Sequence, residues 1–394
     1  MLKKVAICYM ISTIGGTMKK KEEFSKENTL ALKGIAIIMM MFHHCFLSTE
    51  RFENYTVSFF PLNQDFAIEL CSTFKVCVSI FAFITGYGLI ISLKNLNSQY
   101  DWSKKEIVQW TVKRLIKTLS GFWIIAILSF IICQIVDGRT VSILFENGIA
   151  SGIVKIIVTL LGMQTWFGLD SFCGTWWYMG IAILFILSTP IFAKLFKKYG
   201  YAPVILGIIL IPRIIGWEYN ANSYIGFLMP FLLGIIFAQN NLLVKIANIK
   251  ISKNKYVSKI LKFIIETSLI IIAFLLYNQL SGSQFYEIRL GVLPVILICY
   301  LYEFLLDLPI IKKVLQFIGK YSMDIFLIHT FFRVYYLTDF IYSFGNWIKI
   351  ALVLFGISLI VAIIIELFKK LIHYDKIIDK LQKYLNRKID NIYV

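Results

Sequence analysis

Charged residues are scarce in this sequence. Only 16% of its 394 residues are Asp, Glu, Lys or Arg, whereas 58% are hydrophobic, and its mean hydropathy is +0.75. Since a soluble domain typically carries about 25% charged residues, this shortage excludes a soluble globular protein. Apolar runs of about 18 residues or more recur along the chain, and each predicts a helix that spans a bilayer. The predicted fold class is therefore all-α, a polytopic integral membrane protein.

Cysteine motifs and long polar connections are also lacking. The seven cysteines are scattered, mostly inside apolar runs. No two of them have CxxC or metal-ligand spacing, so we interpret them as small hydrophobic residues and predict no metal site. No connection between the apolar runs exceeds about forty residues, which is shorter than an ordinary domain. The sequence therefore has no room for a fused soluble domain.

Acidic residues are outnumbered by basic ones, and the formal net charge is +17. In a soluble chain such an excess would suggest a nucleic-acid partner. In a membrane protein the same excess is expected of cytoplasmic loops that face anionic lipid. The predicted partner is accordingly the lipid bilayer, and no nucleic acid is predicted.

Ten apolar runs are predicted as transmembrane helices. Basic residues are concentrated in alternate connections between them, which by the positive-inside rule predicts that both termini are cytoplasmic. Residues 1–28 then form a basic cytoplasmic N-terminal segment, 29–368 a transmembrane domain, and 369–394 a basic cytoplasmic tail. The predicted spans are 30–49, 72–93, 118–136, 175–195, 202–217, 222–240, 263–281, 289–307, 321–341 and 348–367.

Two segments depart from this pattern. Ile149 to Met163 is apolar but only about 15 residues long and contains Lys155, and a crossing there would invert the charge pattern of every later loop. We predict an interfacial or re-entrant piece on the outer face. Residues 1–17 contain an apolar run too short to span a bilayer and no convincing cleavage site. We expect them to be an extension of little importance, as a mis-assigned start before Met18 would produce.

The apolar helix from Asn28 to Ser48 carries titratable side chains. Lys33 and His44 are eleven positions apart, which places them about 20° out of phase and about 16 Å apart along one stripe of the helix. His43 points about 80° away from that stripe. A titratable group at mid-bilayer is costly and by default marks a functional site. A histidine whose hydrogen bonds are satisfied by a neighbouring helix is the alternative.

Five segments resemble motifs of the acyltransferase 3 family of membrane proteins, in the family's order. The first is Leu32-Lys33-Gly34-Ile35-Ala36 followed by His44, in which Lys33 stands where the family usually has Arg. The other four are Phe74 to Tyr87 with the pair Thr85-Gly86, Lys113 to Lys117 as an Arg-x-x-Arg element, Gly174 to Pro190, and Phe317 to His329.

Three of these motifs also have interpretations that need no ligand. A small residue beside glycine in an apolar helix, as in Thr85-Gly86, permits close packing of helices. Trp176 and Trp177 fit an aromatic belt at the outer interface. The basic pair Arg114 and Lys117 could be a topology anchor rather than a binding site.

The resemblance implies an O-acyltransferase that moves an acyl group, most often acetyl, from cytosolic acyl-coenzyme A such as acetyl-CoA to a hydroxyl. The implied acceptor is an extracytoplasmic polysaccharide or a small hydroxylated molecule. His44 would be the catalytic general base, with an acyl-histidine intermediate as the open alternative. Lys33, Arg114 and Lys117 would bind the coenzyme phosphates. The further candidates for a polar cavity around His44 are His43, Asp324, His329, Arg333 and Glu366.

A secondary transporter or flippase is the main alternative function. Many spans, a basic inner surface and intramembrane charges are compatible with one. The two halves of the chain show no repeated hydropathy pattern, which argues against it. A scaffold of a polysaccharide-export complex has no positive feature in its favour. The abundance of Lys, Ile and Asn suggests an AT-rich bacterial genome, so the predicted location is a bacterial plasma membrane.

Overall fold

The computed structural model describes residues 21–393 except positions 170, 219, 221 and 283. Within these residues the chain is helical almost throughout and forms no strand, apart from one isolated backbone bridge between Ser58 and Asn346. The all-α prediction is confirmed. The prediction made for residues 1–17 falls outside the described residues.

The α-helices of the described residues are numbered here in chain order. The first seven are α1 (Lys26–Phe46), α2 (Gln64–Thr73), α3 (Val76–Lys94), α4 (Lys104–Asp137), α5 (Arg139–Leu144), α6 (Ile149–Leu160) and α7 (Trp177–Tyr199). The next five are α8 (Tyr201–Ile214), α9 (Tyr224–Asn240), α10 (Leu242–Ala247), α11 (Lys255–Gln279) and α12 (Leu293–Tyr300). The last five are α13 (Pro309–Lys320), α14 (Ser322–Thr330), α15 (Thr338–Tyr342), α16 (Trp347–Leu371) and α17 (Tyr374–Ile392).

Shorter helical turns connect some of these elements. Three are 3₁₀ turns, at Thr49–Arg51, Gln164–Phe167 and Gly174–Trp176. Three are π-helical turns, at Ile288–Val292, Leu301–Leu305 and Phe331–Tyr336. The first two π turns flank α12 and the third follows α14.

Seven helices in the described parts of the chain are long and apolar enough to cross a membrane, so the protein is a multi-pass membrane protein. They coincide with seven of the ten predicted spans. The predicted spans 202–217, 222–240 and 321–341 coincide with shorter helices, and a count of ten is not confirmed. Helix α6 has 12 residues, too few to span a bilayer, and its interfacial position remains a prediction.

Local capping explains where two of the long helices begin. The Ser25 side chain caps α1 by accepting a hydrogen bond from the backbone N–H of Asn28, so Lys33 lies two turns inside α1. A capping box of Ser103 and Glu106 opens α4. With 34 residues, α4 is about 51 Å long, and it therefore extends well beyond a hydrocarbon core of about 30 Å.

Helices α1 and α13 cross at a pair of glycines. A Cβ atom on Gly34 would lie 2.2 Å from the carbonyl oxygen of Leu315, and one on Gly319 would lie 1.8 Å from that of Leu30. The two backbones are therefore in direct contact, as small residues permit in membrane proteins. These glycines belong to the first and the last of the five sequence motifs, which the fold brings together.

The Thr85-Gly86 motif takes part in a second close crossing. A Cβ on Gly86 would lie 2.1 Å from the carbonyl oxygen of Phe231, and one on Gly234 would lie 2.0 Å from that of Phe83. Helices α3 and α9 thus touch backbone to backbone, in agreement with the packing interpretation of the glycine.

Substitution of Gly319 by alanine is expected to destabilise the protein. The added methyl would overlap the backbone of α1, and overpacking of this kind costs about 1–3 kcal/mol of unfolding free energy. Thermal unfolding of the detergent-solubilised protein measures the effect. Gly88→Ala is the matched control, because Gly88 lies on α3 and a Cβ added there would have no neighbouring atom within 4 Å. Equal melting temperatures for the two variants would contradict the described crossing.

The C-terminal segment is a helix that packs along α4. The Asp390 carboxylate accepts a hydrogen bond from the Gln109 side-chain amide at 2.9 Å and forms an ion pair with Lys105 at 2.9 Å. The Tyr374 hydroxyl donates to the backbone carbonyl of Ser120 at 2.9 Å. The predicted basic tail is therefore a folded element, α17, held beside the half of α4 that carries Arg114 and Lys117.

Candidate active site

His44 lies in the last turn of α1 and faces His329 of α14. The two imidazole rings have their centroids 4.9 Å apart with an interplanar angle of 38°. The His44 side chain is partly exposed, and its ring nitrogens make no hydrogen bond to any other residue that the structure describes. They are therefore available to a substrate hydroxyl.

His329 is held rigidly at the end of α14. It is fully buried, and its Nδ1 lies 2.9 Å from the carbonyl oxygen of Phe326 and 3.2 Å from that of Ile325. Carbonyl oxygens only accept hydrogen bonds, so Nδ1 carries the proton and Nε2 is the acceptor. Nε2 lies 3.4 Å from the Thr330 hydroxyl, which is itself 3.3 Å from the hydroxyl of Thr175.

His43 has a different environment from its neighbour. Its ring is buried, and Nδ1 lies 2.9 Å from the carbonyl oxygen of Cys71 in α2. Its centroid is 5.3 Å from that of His44. His43 thus connects α1 to α2 through a hydrogen bond, whereas the His44 ring forms no hydrogen bond with any described residue. The two side chains point in different directions, as the helical period predicts, and they therefore have different neighbours.

Arg333 lies one turn after His329, in the π turn that follows α14. Its side chain is only 7% exposed, and its positive charge acts on His43, His44 and His329. A guanidinium stays charged in proteins. The histidine pair therefore sits in a positive field.

Asp324 and Glu366 do not pair with the histidines. Both interact with Lys369 of α16, whose Nζ lies 3.1 Å from an Asp324 oxygen and 2.7 Å from a Glu366 oxygen. Lys369 is assigned to the cytoplasmic tail from the sequence, but in the structure it completes a charge network with Asp324 and Glu366. These two predicted cavity residues are thus engaged in an ion-pair network of their own.

A cavity of about 220 Å³ extends along the predicted stripe of α1. It reaches from Lys33 to Met40, one turn before His44, and Phe326 of its lining has its ring centroid 6.4 Å from that of His329. The lining is mostly apolar, with polar side chains from Thr85, Tyr178 and Ser322 among others. In the Thr85-Gly86 motif, therefore, the glycine packs and the threonine lines the cavity.

Larger grooves elsewhere do not contain the predicted site residues. Two of them, of about 460 and 480 Å³, are lined almost entirely by apolar side chains. Side chains of this kind are expected on surfaces that face lipid. The smaller cavity beside α1 is lined by the predicted cation Lys33 and by Phe326, which lies near His329.

The three predicted phosphate-binding cations have different positions relative to this cavity. Lys33 lines it, and Lys117 is close enough to act electrostatically on Lys33. Arg114 donates a hydrogen bond to the Ser92 hydroxyl of α3, and its guanidinium lies 5.9 Å from the centroid of the Trp110 ring. Its Nε is buried and has no hydrogen-bond partner among the described residues. Lys33 and Lys117 are thus neighbours, while Arg114 turns toward α3.

Trp176 is not part of an aromatic belt. Its side chain is fully buried, and its indole N–H donates to the carbonyl oxygen of Leu327 in α14 at 2.9 Å. The belt interpretation is wrong for this residue, because its N–H finds a partner in the core rather than at the interface. Trp176 instead fixes the helix that carries His329.

Several residues around the histidines are not predicted from the sequence. Thr175 and Thr330 are ordinary polar residues in apolar stretches, and only the fold brings their hydroxyls next to His329. The one available signal was the position of Thr330 directly after His329. Tyr342, which donates a hydrogen bond to the carbonyl oxygen of Cys45 at 3.0 Å, has no sequence signal at all.

Comparison with known proteins gives one match. A family model for acyltransferase 3, described as an acyltransferase domain, matches residues 31–367. No curated protein and no solved structure matches the chain. The matched range contains every predicted site residue.

Proposed function

Because this chain belongs to the acyltransferase 3 family and is a membrane acyltransferase, we propose that it moves an acyl group from cytosolic acyl-CoA to an extracytoplasmic hydroxyl. The proposed group is acetyl, and the proposed acceptor is a polysaccharide or related glycan at the surface of a bacterial plasma membrane. The observation that carries the proposal is the cavity that contains Lys33, reaches Met40 one turn before His44, and is lined by Phe326, whose ring centroid lies 6.4 Å from that of His329.

The donor would enter from the end of the cavity that contains Lys33. We propose that Lys33, Arg114 and Lys117 bind the coenzyme phosphates, since clustered cations favour phosphate oxygens. The pantetheine arm would then follow the α1 stripe over about 16 Å to His44. An apolar lining with a few polar groups suits an arm that alternates methylene and amide units.

His44 would act as the general base on the acceptor. Its unprotonated nitrogen accepts the hydroxyl proton while the acceptor oxygen forms a bond to the thioester carbonyl carbon. The carbon–sulfur bond then breaks, and the coenzyme sulfur leaves and takes that proton from the imidazolium. In the alternative route the acyl group first bonds to His44 and is then transferred. Both routes give the same products.

Loss of the proposed phosphate ligands is expected to weaken donor binding selectively. Lys33→Gln and Lys117→Gln should each raise the KM for acetyl-CoA by about tenfold, as expected for the loss of a charge-assisted contact. This KM is measured from the steady-state release of free coenzyme A thiol by purified protein in nanodiscs. S-acetyl pantetheine, which lacks the nucleotide phosphates, should show little change in KM with the same variants.

Lys349→Gln is the matched control for this experiment, because Lys349 is exposed at the start of α16, away from the cavity. If the Lys33 and Lys117 variants affect both donors equally, these residues do not bind phosphate. If wild-type protein releases no thiol but transports a labelled glycan precursor across the bilayer, the transporter alternative replaces the enzyme.

A further inference from the structure

Arg333 carries a buried charge without an acidic partner. Its side chain is 93% buried, its Nε is buried without a hydrogen bond to any described residue, and it forms no ion pair within the described parts of the chain. The buried cation Lys262, by contrast, is paired with Glu303 at 2.5 Å. A charge withdrawn from water without a partner is costly.

A second arginine is close enough to interact with it electrostatically. Arg51 belongs to the 3₁₀ turn that follows α1, where its side chain reaches the surface. Partial burial of its guanidinium and the positive charge of Arg333 lower the pKa of Arg51. Glu50 acts on Arg51 electrostatically, but neither arginine forms an ion pair with a described carboxylate. The two positive charges therefore act on each other, and neither is neutralised by an ion pair with a described carboxylate.

Tyr342 connects this arginine pair to the histidines. Its hydroxyl donates to the carbonyl oxygen of Cys45, the residue after His44, at 3.0 Å and lies within reach of Arg333. Its ring stacks on Tyr55 with centroids 4.7 Å apart. The Asp339 carboxylate accepts a hydrogen bond from the Tyr55 hydroxyl and forms no ion pair with either arginine.

We propose that Arg51 and Arg333 form a binding site for an anionic group of the acceptor, a carboxylate or a phosphate, next to His44. This inference rests on the proposed acyl-transfer function. Guanidinium groups bind both oxyanions in a bidentate manner. The donor phosphates are placed at the other end of α1, about 16 Å away, whereas Arg51 is at the surface beside the histidine end. The acceptor is thus an acidic glycan, whose anion positions a neighbouring hydroxyl at His44.

Matched acceptors test this assignment in nanodiscs with saturating acetyl-CoA. One pair is an oligosaccharide containing glucuronic acid and the same oligosaccharide after reduction of its carboxyl groups to alcohols. The other pair is a glycerol phosphate oligomer and glycerol. We expect wild-type protein to acetylate one acidic acceptor with kcat/KM about tenfold or more above that of its neutral counterpart, and the two pairs distinguish carboxylate from phosphate.

Arg333→Gln and Arg51→Gln should reduce this preference by about tenfold, mainly through KM for the acidic acceptor, and Arg333→Lys should retain part of it. The control Lys349→Gln should keep the preference. An equal loss with acidic and neutral acceptors would assign Arg333 a structural role and overturn the proposal. A wild-type protein that prefers the neutral acceptors would overturn it as well.

Direct binding separates this proposal from the proposed function. Binding of the fluorescently labelled glucuronic acid oligosaccharide and glycerol phosphate oligomer to wild type and Arg333→Gln requires no catalysis. Wild-type binding of either probe that weakens about tenfold in the variant would support the anion site even if no thiol were released. Equal binding of each probe by wild type and Arg333→Gln, or no binding of either probe by wild type, would reject the site even if acyl transfer proceeded.

Discussion

Substitution of His44 by alanine is expected to lower acyl transfer by about 10²–10⁴-fold, the contribution of a general base. His44 is partly exposed and lies one turn beyond Met40, which lines the cavity, and its nitrogens are not occupied by other described residues. Thiol release from acetyl-CoA, normalised to folded protein, measures the effect. An acyl-histidine route predicts the same loss, because alanine offers no nucleophile.

His43→Ala is the internal control for this experiment. The substitution removes the contact between Nδ1 of His43 and the Cys71 carbonyl, which should cost about 1–3 kcal/mol of stability. Turnover per folded molecule should nevertheless remain near that of wild type, because this ring is committed to the backbone of α2. A variant of His43 as inactive as that of His44 would contradict the distinction between the two histidines.

Substitution of His329 by alanine is expected to lower kcat by about 10²-fold, at the lower end of the range for groups that assist proton transfer. The ring stands 4.9 Å from His44 and keeps Nε2 as an acceptor because Nδ1 is bound to helix carbonyls. Loss of the ring removes both the packing that orients His44 and the polar atom beside it. Steady-state turnover with acetyl-CoA measures the change.

Two further variants separate packing from polarity at this position. His329→Phe keeps an aromatic ring but removes both nitrogens, whereas His329→Gln places an amide group near the position of Nε2. If the nitrogen matters, the Gln variant should be more active than the Phe variant. Full activity of the Phe variant, at an unchanged melting temperature, would show that His329 acts through its shape alone.

Hydrophobicity predicted the fold class but not the number of spans. Long apolar runs specify membrane helices because each residue avoids water, and seven of them are long enough in the described chain. Helix breaks inside apolar stretches leave little trace in hydropathy. Gly216 adopts φ +67° just after α8, and the helical run of α14 and its π turn ends at Leu337, whose φ is −130°, so two of the helices are shorter than the spans predicted for them.

The helical period predicted part of the site. Lys33 and Met40 line one cavity because residues seven apart share a helix face, and His44 follows Met40 by one turn. The helical period does not predict which residues from distant parts of the sequence pack against this face. The approach of His329 to His44, and of Lys369 to Asp324, depends on how α14 and α16 pack. Charge alone therefore grouped Asp324 with the histidines, although its partner is Lys369.

The glycine of the first motif has a physical explanation that one sequence does not supply. Gly34 and Gly319 belong to motifs far apart in the chain, and each permits the other helix to approach. This contact fixes α1 relative to α13, and α14 follows α13 directly. It thus contributes to bringing His329 to the end of the α1 cavity.

The central claim is that the acyl group passes from a donor on one side of the membrane to an acceptor on the other. Acetyl transfer in proteoliposomes, with donor and acceptor on opposite sides, tests it most directly. Vesicles of known protein orientation are given acetyl-CoA on one side only and the acidic oligosaccharide on the other, and the acetylated product and free thiol are quantified by mass spectrometry. The account predicts product only when the donor is on the side of Lys33 and the acceptor is on the opposite side, and none with His44→Ala. Product formed with the donor on the side opposite Lys33, or transfer of intact acceptor across the bilayer without thiol release, would contradict it.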